Sequence, residues 1–354
     1  MRNNILYLLA ILLVSCSETV INMEGSSISL EGDDTTHVYI TEYLKIVECV
    51  PLIETEECIL GNIRNIEEYD NEYYILGKFE KTGIVVFNKD GEFVRKIGNY
   101  GNGRGEYSKI LDYTVDQKNK RVLVLLNDSK LKIYDLKGNY ISEETLTKSL
   151  LYNIACIDGN ILCTTNHQTY TSGEDAFLFY VFDENFKKIK KHTNVLSTYM
   201  GMFSLNLHRL MTNQRKFYYT DFYTHNIYVL DKLGNIEQIF SYDKSSLMPT
   251  EYFKGYTTFT ENQMKFDFVF NNIIIGGNII TIYKDKEQLR IAINDVEGNT
   301  KSNKALKGIM PECYMYKDNF VLSSLTNEQM TELSIPLPSV KNTYQSIIKY
   351  TLKR

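Results

Sequence analysis

Histidine, carboxylate and tyrosine side chains are the groups of this chain that could do chemistry, and their spacing limits which chemistry is open to them. The sequence has neither a Gly-x-Ser-x-Gly nor a His-Glu-x-x-His motif, so it indicates neither a serine nucleophile elbow nor a zinc-protease helix. The histidines are scattered, at His37, His167, His192, His208 and His225. Of these, His167, His208 and His225 could act as a general acid or base on a polysaccharide, although an isolated histidine more commonly serves in packing.

Two mixtures of polar and aromatic residues suit the binding of a sugar or peptide better than a defined reaction. The first follows a glycine-rich run, and the second falls on segments that connect apolar stretches. No helix follows the glycines, so a dinucleotide or P-loop site lacks the context it needs. The residues predicted to contact a ligand are Arg104, Glu106, Tyr107, His167, Tyr170, Asp221, Tyr223 and His225. No metal site and no cofactor is predicted, since no Cys-x-x-Cys pair occurs.

A short phrase that recurs along the chain predicts the elements that position these residues. It is an apolar run that ends in Asp or Asn, followed three positions later by a turn residue. Aligned on Asn88, Asp135, Asp183, Asp231 and Asp295, the copies are separated by 47, 48, 48 and 64 residues. Such a period, with hairpin turns and almost no helical pattern, is typical of a β-propeller.

A second series of turn-forming pairs fixes the number of blades. Six such pairs lie between two apolar runs: Asp70-Asn71, Lys118-Asn119, Gly159-Asn160, Asn213-Gln214, Gly277-Asn278 and Asp318-Asn319. Asn, Asp and Gly tolerate the backbone of tight hairpins. We therefore predict an all-β fold, a six-bladed propeller of four-stranded antiparallel blades. The chain end at 346–352 would be the third strand of the last blade, and an N-terminal strand at 44–52 would be its fourth and close the ring.

The lengths of the connections predict which face binds a ligand. The turns after first and third strands are short, and we call their side of the ring the short-turn face. The other side, the loop-rich face, carries every long segment: 97–107, 166–175, 190–201, 241–263 and 324–345. Long irregular segments in a compact domain are usually functional, so the loop-rich face is the predicted binding face, with neutral loop growth as the alternative. Thr326 and Gln329 fit a capping box that would begin a short helix there.

The N-terminus has the pattern of an export signal. Arg2 precedes an unbroken apolar run, Ile5–Val14, which is too short to span a bilayer. Cys16 follows Leu-Val-Ser, which resembles a bacterial lipobox and implies cleavage before Cys16 and its lipidation. The predicted division is a signal peptide at 1–15, a flexible tether at 16–36 and the propeller at 37–354. The expected location is the cell envelope, at the outer membrane, with the membrane as a partner through the lipid anchor.

Two cysteines could face each other across a hairpin. Cys156 and Cys163 flank Gly159-Asn160, and a two-residue turn at that pair would place them opposite one another. An exported protein may form disulfides, so the pair could be bonded or could be two buried free thiols. Nucleic acid is excluded as a partner, because the formal net charge is −5 and the basic residues are not clustered.

Part of the chain resembles a known repeat family. The segment 98–107, rich in glycine and ending in Gly-Glu-Tyr, looks like an NHL-type repeat together with 112–116 and 133–138. With 50–55 and 60–63 it resembles the six-bladed propeller lipoproteins of gut-type bacteria, over about residues 44–145. It departs from that pattern at Arg104, where the family more often has proline. The resemblance implies an exported six-bladed propeller and adds little on mechanism.

Two functions of different kinds therefore remain open. The first is a binding or scaffold module of the cell envelope that recognises a glycan, a peptide or a protein through the loop-rich face. The alternative is a propeller lyase or hydrolase that acts on a polysaccharide with a His, carboxylate or metal site at the channel mouth. A structural subunit of an envelope complex would instead show a contiguous apolar patch on the outer rim.

Overall fold

The computed structural model describes residues 25–353 except 33, 78–80, 168–176, 196–209, 254–255, 309–312 and 318. The strands are β1 (Ser26–Ser29), β2 (His37–Val38), β3 (Leu44–Ile53), β4 (Ile63–Tyr69), β5 (Glu72–Gly77), β6 (Ile84–Asn88), β7 (Phe93–Ile97), β8 (Asn99–Tyr100), β9 (Glu106–Tyr107), β10 (Ile110–Asp116), β11 (Arg121–Leu126), β12 (Lys130–Asp135), β13 (Tyr140–Thr145), β14 (Asn153–Ile157), β15 (Asn160–Thr164), β16 (Phe177–Phe182), β17 (Lys188–Asn194), β18 (Leu210–Asn213), β19 (Lys216–Asp221), β20 (Asn226–Leu230), β21 (Ile236–Asp243), β22 (Phe268–Ile275), β23 (Asn278–Asp285), β24 (Gln288–Asp295), β25 (Thr300–Leu306), β26 (Cys313–Lys317), β27 (Phe320–Thr326) and β28 (Thr343–Leu352). Two short α-helices, α1 (Tyr256–Asn262) and α2 (Asn327–Glu332), and two 3-10 turns, Ile40–Glu42 and Thr250–Phe253, complete the described elements.

The described strands form six blades, each with four strands in antiparallel order from the axis outwards. Blades one to five are β4–β7, β10–β13, β14–β17, β18–β21 and β22–β25. Blade six is β26, β27 and β28, with β3 antiparallel to β28 as its fourth strand. Around the axis, β4, β10, β14 and β18 contact one another in chain order, and β26 contacts β18, β22 and β4. The predicted fold class, a six-bladed β-propeller, is confirmed.

The recurring Asp/Asn phrase forms a side-chain-capped turn between the third and fourth strands. Asp135 Oδ1 accepts the backbone N–H of Asn139 at 2.8 Å, and the same bond recurs at Asn88, Asp183, Asp231 and Asp295. The turn residue has positive φ, +91° at Gly138. A Cβ there would lie 2.3 Å from the Lys96 carbonyl oxygen of the preceding blade, so only glycine fits at this point.

Three of the six predicted first turns lie one residue away from their predicted positions. The turn of blade three is Asp158-Gly159, both with positive φ, because Ile157 pairs with Asn160. This register places Cys156 opposite Ile161 and Cys163 opposite Ile154, so the two cysteines are diagonal rather than facing. Both are free thiols. Of the two alternatives left open by the sequence, the structure therefore has the free thiols and not the disulfide.

Residues 25–43 form a segment, here called the N-terminal strap, that the sequence did not predict. β1 pairs in parallel with β21 at the outer edge of blade four, and β2 pairs in parallel with β25 at the outer edge of blade five. Ile28 and Leu30 are fully buried. The Leu30 carbonyl also accepts hydrogen bonds from Tyr283 Oη at 2.8 Å and Asn303 Nδ2 at 3.1 Å. Part of the segment 16–36 that was predicted as a tether therefore lies against the ring, where the strap covers two outer edges.

Tyrosines dominate the packing between blades because their rings fill the core while their hydroxyls satisfy backbone carbonyls. Between blades one and two, Tyr107 Oη donates to the Ile97 carbonyl at 2.7 Å and Tyr134 Oη donates to Gly105 at 3.1 Å. The predicted helix start is also present. Thr326 caps α2, with Thr326 Oγ1 accepting from Gln329 N at 3.2 Å and Gln329 Oε1 accepting from Thr326 N at 2.9 Å.

Candidate functional site

The loop-rich face brings His167 and Asp221 together in a buried, hydrogen-bonded pair. His167 Nε2 lies 2.8 Å from Asp221 Oδ2, and the two side chains are 2% and 0% exposed. Thr224 Oγ1 donates to the same carboxylate at 2.6 Å and the Tyr223 N–H donates to Asp221 Oδ1 at 3.0 Å. Burial alone would raise the pKa of Asp221, but His167 and these donors outweigh it and hold the pKa below its usual value.

Aromatic rings complete this group of side chains. The Tyr223 ring meets His167 edge-on at 5.6 Å and Phe253 at 5.3 Å. His225 Nε2 lies 3.1 Å from the Met248 carbonyl oxygen, and burial lowers the pKa of His225 so that it stays neutral near pH 7. We call His167, Asp221, Tyr223, His225 and Phe253 the loop clamp, because they join connections of blades three and four to the segment 244–267.

The position of the loop clamp corrects the expected role of its members. The sequence analysis placed His167, Asp221, Tyr223 and His225 on one face as ligand contacts, but all four are buried and bonded within the protein. Because they are buried, these four residues do not contact a ligand directly, and their contacts hold the loops together. Tyr170, predicted beside them, lies outside the described residues.

The second predicted group is also structural in large part. Tyr107 is buried between blades one and two. Glu106 Oε2 accepts the Gly103 N–H at 2.8 Å and so closes the loop that joins β8 to β9. Arg104, at the tip of this loop, is exposed. Of this predicted trio, Arg104 alone presents its side chain to solvent in a way that suits ligand contact.

A row of polar groups lines the inner strands of blades one to three. Asp112 accepts from Asn65 Nδ2 at 3.0 Å, from Asn153 Nδ2 at 3.3 Å and from the Ile154 N–H at 3.1 Å, so it ties three blades together. Glu67 Oε2 accepts the Val115 N–H at 2.8 Å. Burial, with Asp112 nearby, raises the pKa of Glu67 to about 8, so its carboxyl holds a proton at neutral pH.

The short-turn face contains a cavity of about 580 Å³ that the sequence did not indicate. The turns that follow the inner strands of blades two, three and four line it, with one residue each from blades one and six, so it lies at the end of the ring axis. We call it the axial cavity. Its lining residues are Tyr69, Gln117, Lys118, Cys156, Ile157, Asp158, Thr212, Asn213, Gln214, Arg215 and Met315.

Amides, hydroxyls and paired charges dominate the chemistry of the axial cavity. The guanidinium of Arg215 donates to the Asp158 carboxylate, and Lys232 Nζ lies 3.6 Å from the same group. Lys118 Nζ lies 2.6 Å from Glu184 Oε2. The side chains of Arg215 and Lys118 are 66% and 52% exposed, so both cations can exchange their partner for a ligand at little cost.

A second cavity, of about 640 Å³, lies on the loop-rich face where blade six meets blade one. Residues of the segment 54–62 line one side, and residues after β27 and at the start of β28 line the other. Glu54 accepts hydrogen bonds there from the Leu60 N–H and from Gln345 Nε2, both at 3.3 Å. Glu54 belongs to the wall of this cavity, and burial raises the pKa of its carboxyl, so it holds a proton more readily than an exposed carboxyl does.

The described part of the chain contains no group of three or more His, Cys, Asp or Glu side chains that could hold a metal ion. Within the same residues, no helix has the length and apolar character that crossing a membrane requires.

The fold and its cavities define a six-bladed β-propeller with a polar cavity at one end of its axis. The model of a family of domains of unknown function, DUF4934, matches residues 20–344, and the chain belongs to that family. No curated protein matches the chain. The resemblance to NHL-type lipoprotein repeats stays a prediction.

Two solved structures have the same architecture. A protein of Bacteroides fragilis described as a candidate exported protein is 16% identical, with a TM-score of 0.73 over 93% of this chain and 99% of that one. A member of the DUF4221 family from Bacteroides vulgatus is 9% identical, with a TM-score of 0.57 over 88% of this chain and 99% of that one. At these identities the likeness shows the fold alone.

Proposed function

We propose that this protein is an exported, lipid-anchored binding module of the cell envelope that holds a hydroxyl-rich ligand, a glycan, in its axial cavity. The observation that carries the proposal is the lining of that cavity. Side chains from the turns of three successive blades converge on it, and most of them are amides, hydroxyls or exposed charges.

The donor and acceptor types fit sugar hydroxyls better than they fit an apolar ligand. Gln117 and Gln214 each offer an amide that donates and accepts, which matches a hydroxyl that does both. Tyr69 supplies an aromatic ring against which the C–H face of a sugar can pack. The exposed guanidinium of Arg215 can pair with the carboxylate of an acidic sugar, in place of Asp158.

Export and anchoring rest on the N-terminal pattern, with Cys16 as the lipidated residue. The description of the Bacteroides fragilis neighbour as a candidate exported protein agrees with this proposal. Binding through the loop-rich face remains a second proposal. The cavity beside Glu54 and the exposed Arg104 are the features that favour it.

The test is a binding screen of the mature chain with neutral trisaccharides, chito-oligosaccharides and uronate oligomers, followed by titration calorimetry on any ligand found. The double variant Gln214→Ala/Arg215→Ala should weaken binding at least tenfold. Arg104→Ala, which removes an exposed arginine from the opposite face, serves as the matched control and should leave the affinity unchanged. Equal loss in both variants, or loss in the control alone, would refute the axial cavity as the site.

A further inference from the structure

One part of the outer rim carries exposed lysines and aliphatic side chains. It lies beside the point where the N-terminal strap joins the ring. The outer strand of blade three, β17, and the residue before it carry Lys187, Lys188, Ile189 and Lys190. The adjoining turn of blade four carries Lys232 and Leu233. Ile189 and Leu233 are each 48% exposed.

These two segments form one continuous patch. Lys190 Nζ donates to Asn235 Oδ1 at 2.6 Å, and His192 Nε2 lies 2.7 Å from the Gly234 carbonyl oxygen. We call the patch, made of 187–192 and 231–235, the basic rim. Its contacts join the outer edge of blade three to the turn that leads into β21 of blade four.

Neighbouring carboxylates neutralise the positive charge of the basic rim only in part. Lys190 is bonded to a neutral amide, and Lys188 lies 5.9 Å from the centre of the Tyr180 ring. Asp231 interacts electrostatically with Lys190 while it accepts backbone N–H groups of its own turn, and Glu184 pairs with Lys118. Lys232 shares Asp158 with Arg215.

The N-terminal strap enters beside this patch. Because β1 runs parallel to β21, with Ser26 opposite Phe240, the chain reaches β1 from the end of β21 that follows the turn 231–235. Gln238 Nε2 donates to Ser26 Oγ at 3.3 Å, and Ile28 is fully buried two residues later. The strap is thus fixed to blade four from its first described residues.

The length of the segment between Cys16 and β1 limits how far the propeller can lie from the membrane. Nine residues separate Cys16 from Ser26, and even fully extended they reach about 30 Å. A diacyl anchor on Cys16 would therefore hold the outer edge of blade four, and with it the basic rim, near the bilayer surface. Lysines near an anionic lipid surface are attracted by its negative surface potential.

We propose that the basic rim is the membrane-facing surface of the protein, and that it contacts anionic phospholipid headgroups through its lysines while Ile189 and Leu233 meet the interface. The propeller then stands edge-on to the membrane instead of lying on either face. The orientation rests on the proposed anchoring through Cys16, whereas the lipid contact rests on the rim alone.

The test uses the mature chain with Cys16→Ser, which has no acyl group, so that lipid contact is measured apart from anchoring. Flotation with vesicles of phosphatidylglycerol and phosphatidylethanolamine should recover the protein, and flotation with phosphatidylcholine vesicles should not. Lys187→Glu/Lys188→Glu should weaken partitioning at least tenfold. The control Lys89→Glu/Lys137→Glu changes the net charge equally, at two exposed turns of blades one and two, and should weaken it less than threefold.

Two results would overturn the proposal. The first is that the Cys16→Ser chain without lysine substitutions does not float with anionic vesicles at low salt. The second is that both double variants lose vesicle partitioning equally. Either result leaves glycan binding in the axial cavity untouched, because that assay contains no lipid. Conversely, the absence of an acyl group on Cys16 in a membrane fraction would refute anchoring without altering the vesicle result. Both double variants should unfold at the same midpoint temperature as the protein without these substitutions, which verifies that they fold.

Discussion

Replacement of Glu67 by Gln tests whether the inner wall of the ring holds a protonated carboxyl. Burial raises the pKa of Glu67 to about 8, against an ordinary value of 4.5. Between these values the folded chain keeps a proton that the unfolded chain has released. The contribution to stability is therefore fully present below pH 4.5 and is lost as the pH rises through 8.

The size of this effect follows from the two pKa values. Their difference of about 3.5 corresponds to an upper limit of about 5 kcal/mol at 1.36 kcal/mol for each pKa unit. Somewhat more than half of it, about 3 kcal/mol, falls between pH 6 and pH 9. Gln at this position keeps an oxygen that can accept the Val115 N–H but cannot ionise. Because Gln cannot lose a proton, we expect the stability of Glu67→Gln relative to the unmodified protein to rise by about 3 kcal/mol between pH 6 and pH 9.

Urea unfolding followed by circular dichroism at both pH values measures this difference. Glu144→Gln, on the exposed outer strand of blade two, is the matched control and should leave the pH profile of stability unchanged. If Glu67→Gln destabilises the protein equally at pH 6 and pH 9, the carboxylate is ionised and required. That result would refute the claim that Glu67 is protonated at neutral pH.

Three further substitutions test the clamp, the strap and the turns by urea unfolding. Asp221→Asn removes the carboxylate that binds His167 and Thr224 and should cost about 1–3 kcal/mol while leaving glycan affinity unchanged; a loss of affinity in still-folded protein would make the clamp part of the site. Leu30→Ala should cost about 2–5 kcal/mol, and a neutral result would show that the strap is detached in solution. Gly138→Ala should cost about 1–3 kcal/mol more than Gly277→Ala, because a Cβ at 138 meets a carbonyl oxygen and one at 277 meets nothing within 4 Å; equal costs would contradict the turn geometry.

The blades could be predicted from the sequence because the residues that form each turn are close together along the chain. Asp135 and Asn139 are four residues apart, and their turn forms wherever the phrase occurs. The shifted turns show the limit of that argument. Asp158-Gly159 and Gly159-Asn160 are both acceptable hairpin turns, and the pairing of Ile157 with Asn160 decides between them.

The strap and the loop clamp could not be predicted because their partners are distant in sequence. Ser26–Ser29 is a polar stretch in which Ile28 is the only apolar residue, so it resembles a tether until β21 supplies an edge. His167 and Asp221 were each recognised as unusual polar residues between strands. Their distance of 2.8 Å and their burial depend on the packing of blade three against blade four, which no local pattern records.

The axial cavity was missed for a related reason. Each of its turns is short and regular, and short turns were expected to have only a structural role. The cavity arises because the side chains of Gln117, Asp158 and Gln214, 41 and 56 residues apart, are placed around one axis by the repeat itself. A signal was present in the sequence: polar residues other than Asn and Gly occupy these turns in three successive blades.

Hydrogen–deuterium exchange of the mature chain, with and without the best glycan from the binding screen, tests the central claim most directly because it reports on both faces at once. We predict slower exchange in the turns around Asp158 and Gln214 when the glycan is bound, and unchanged exchange in the loop that contains Arg104. Slower exchange on the loop-rich face with no change in the two turns would contradict a glycan site in the axial cavity.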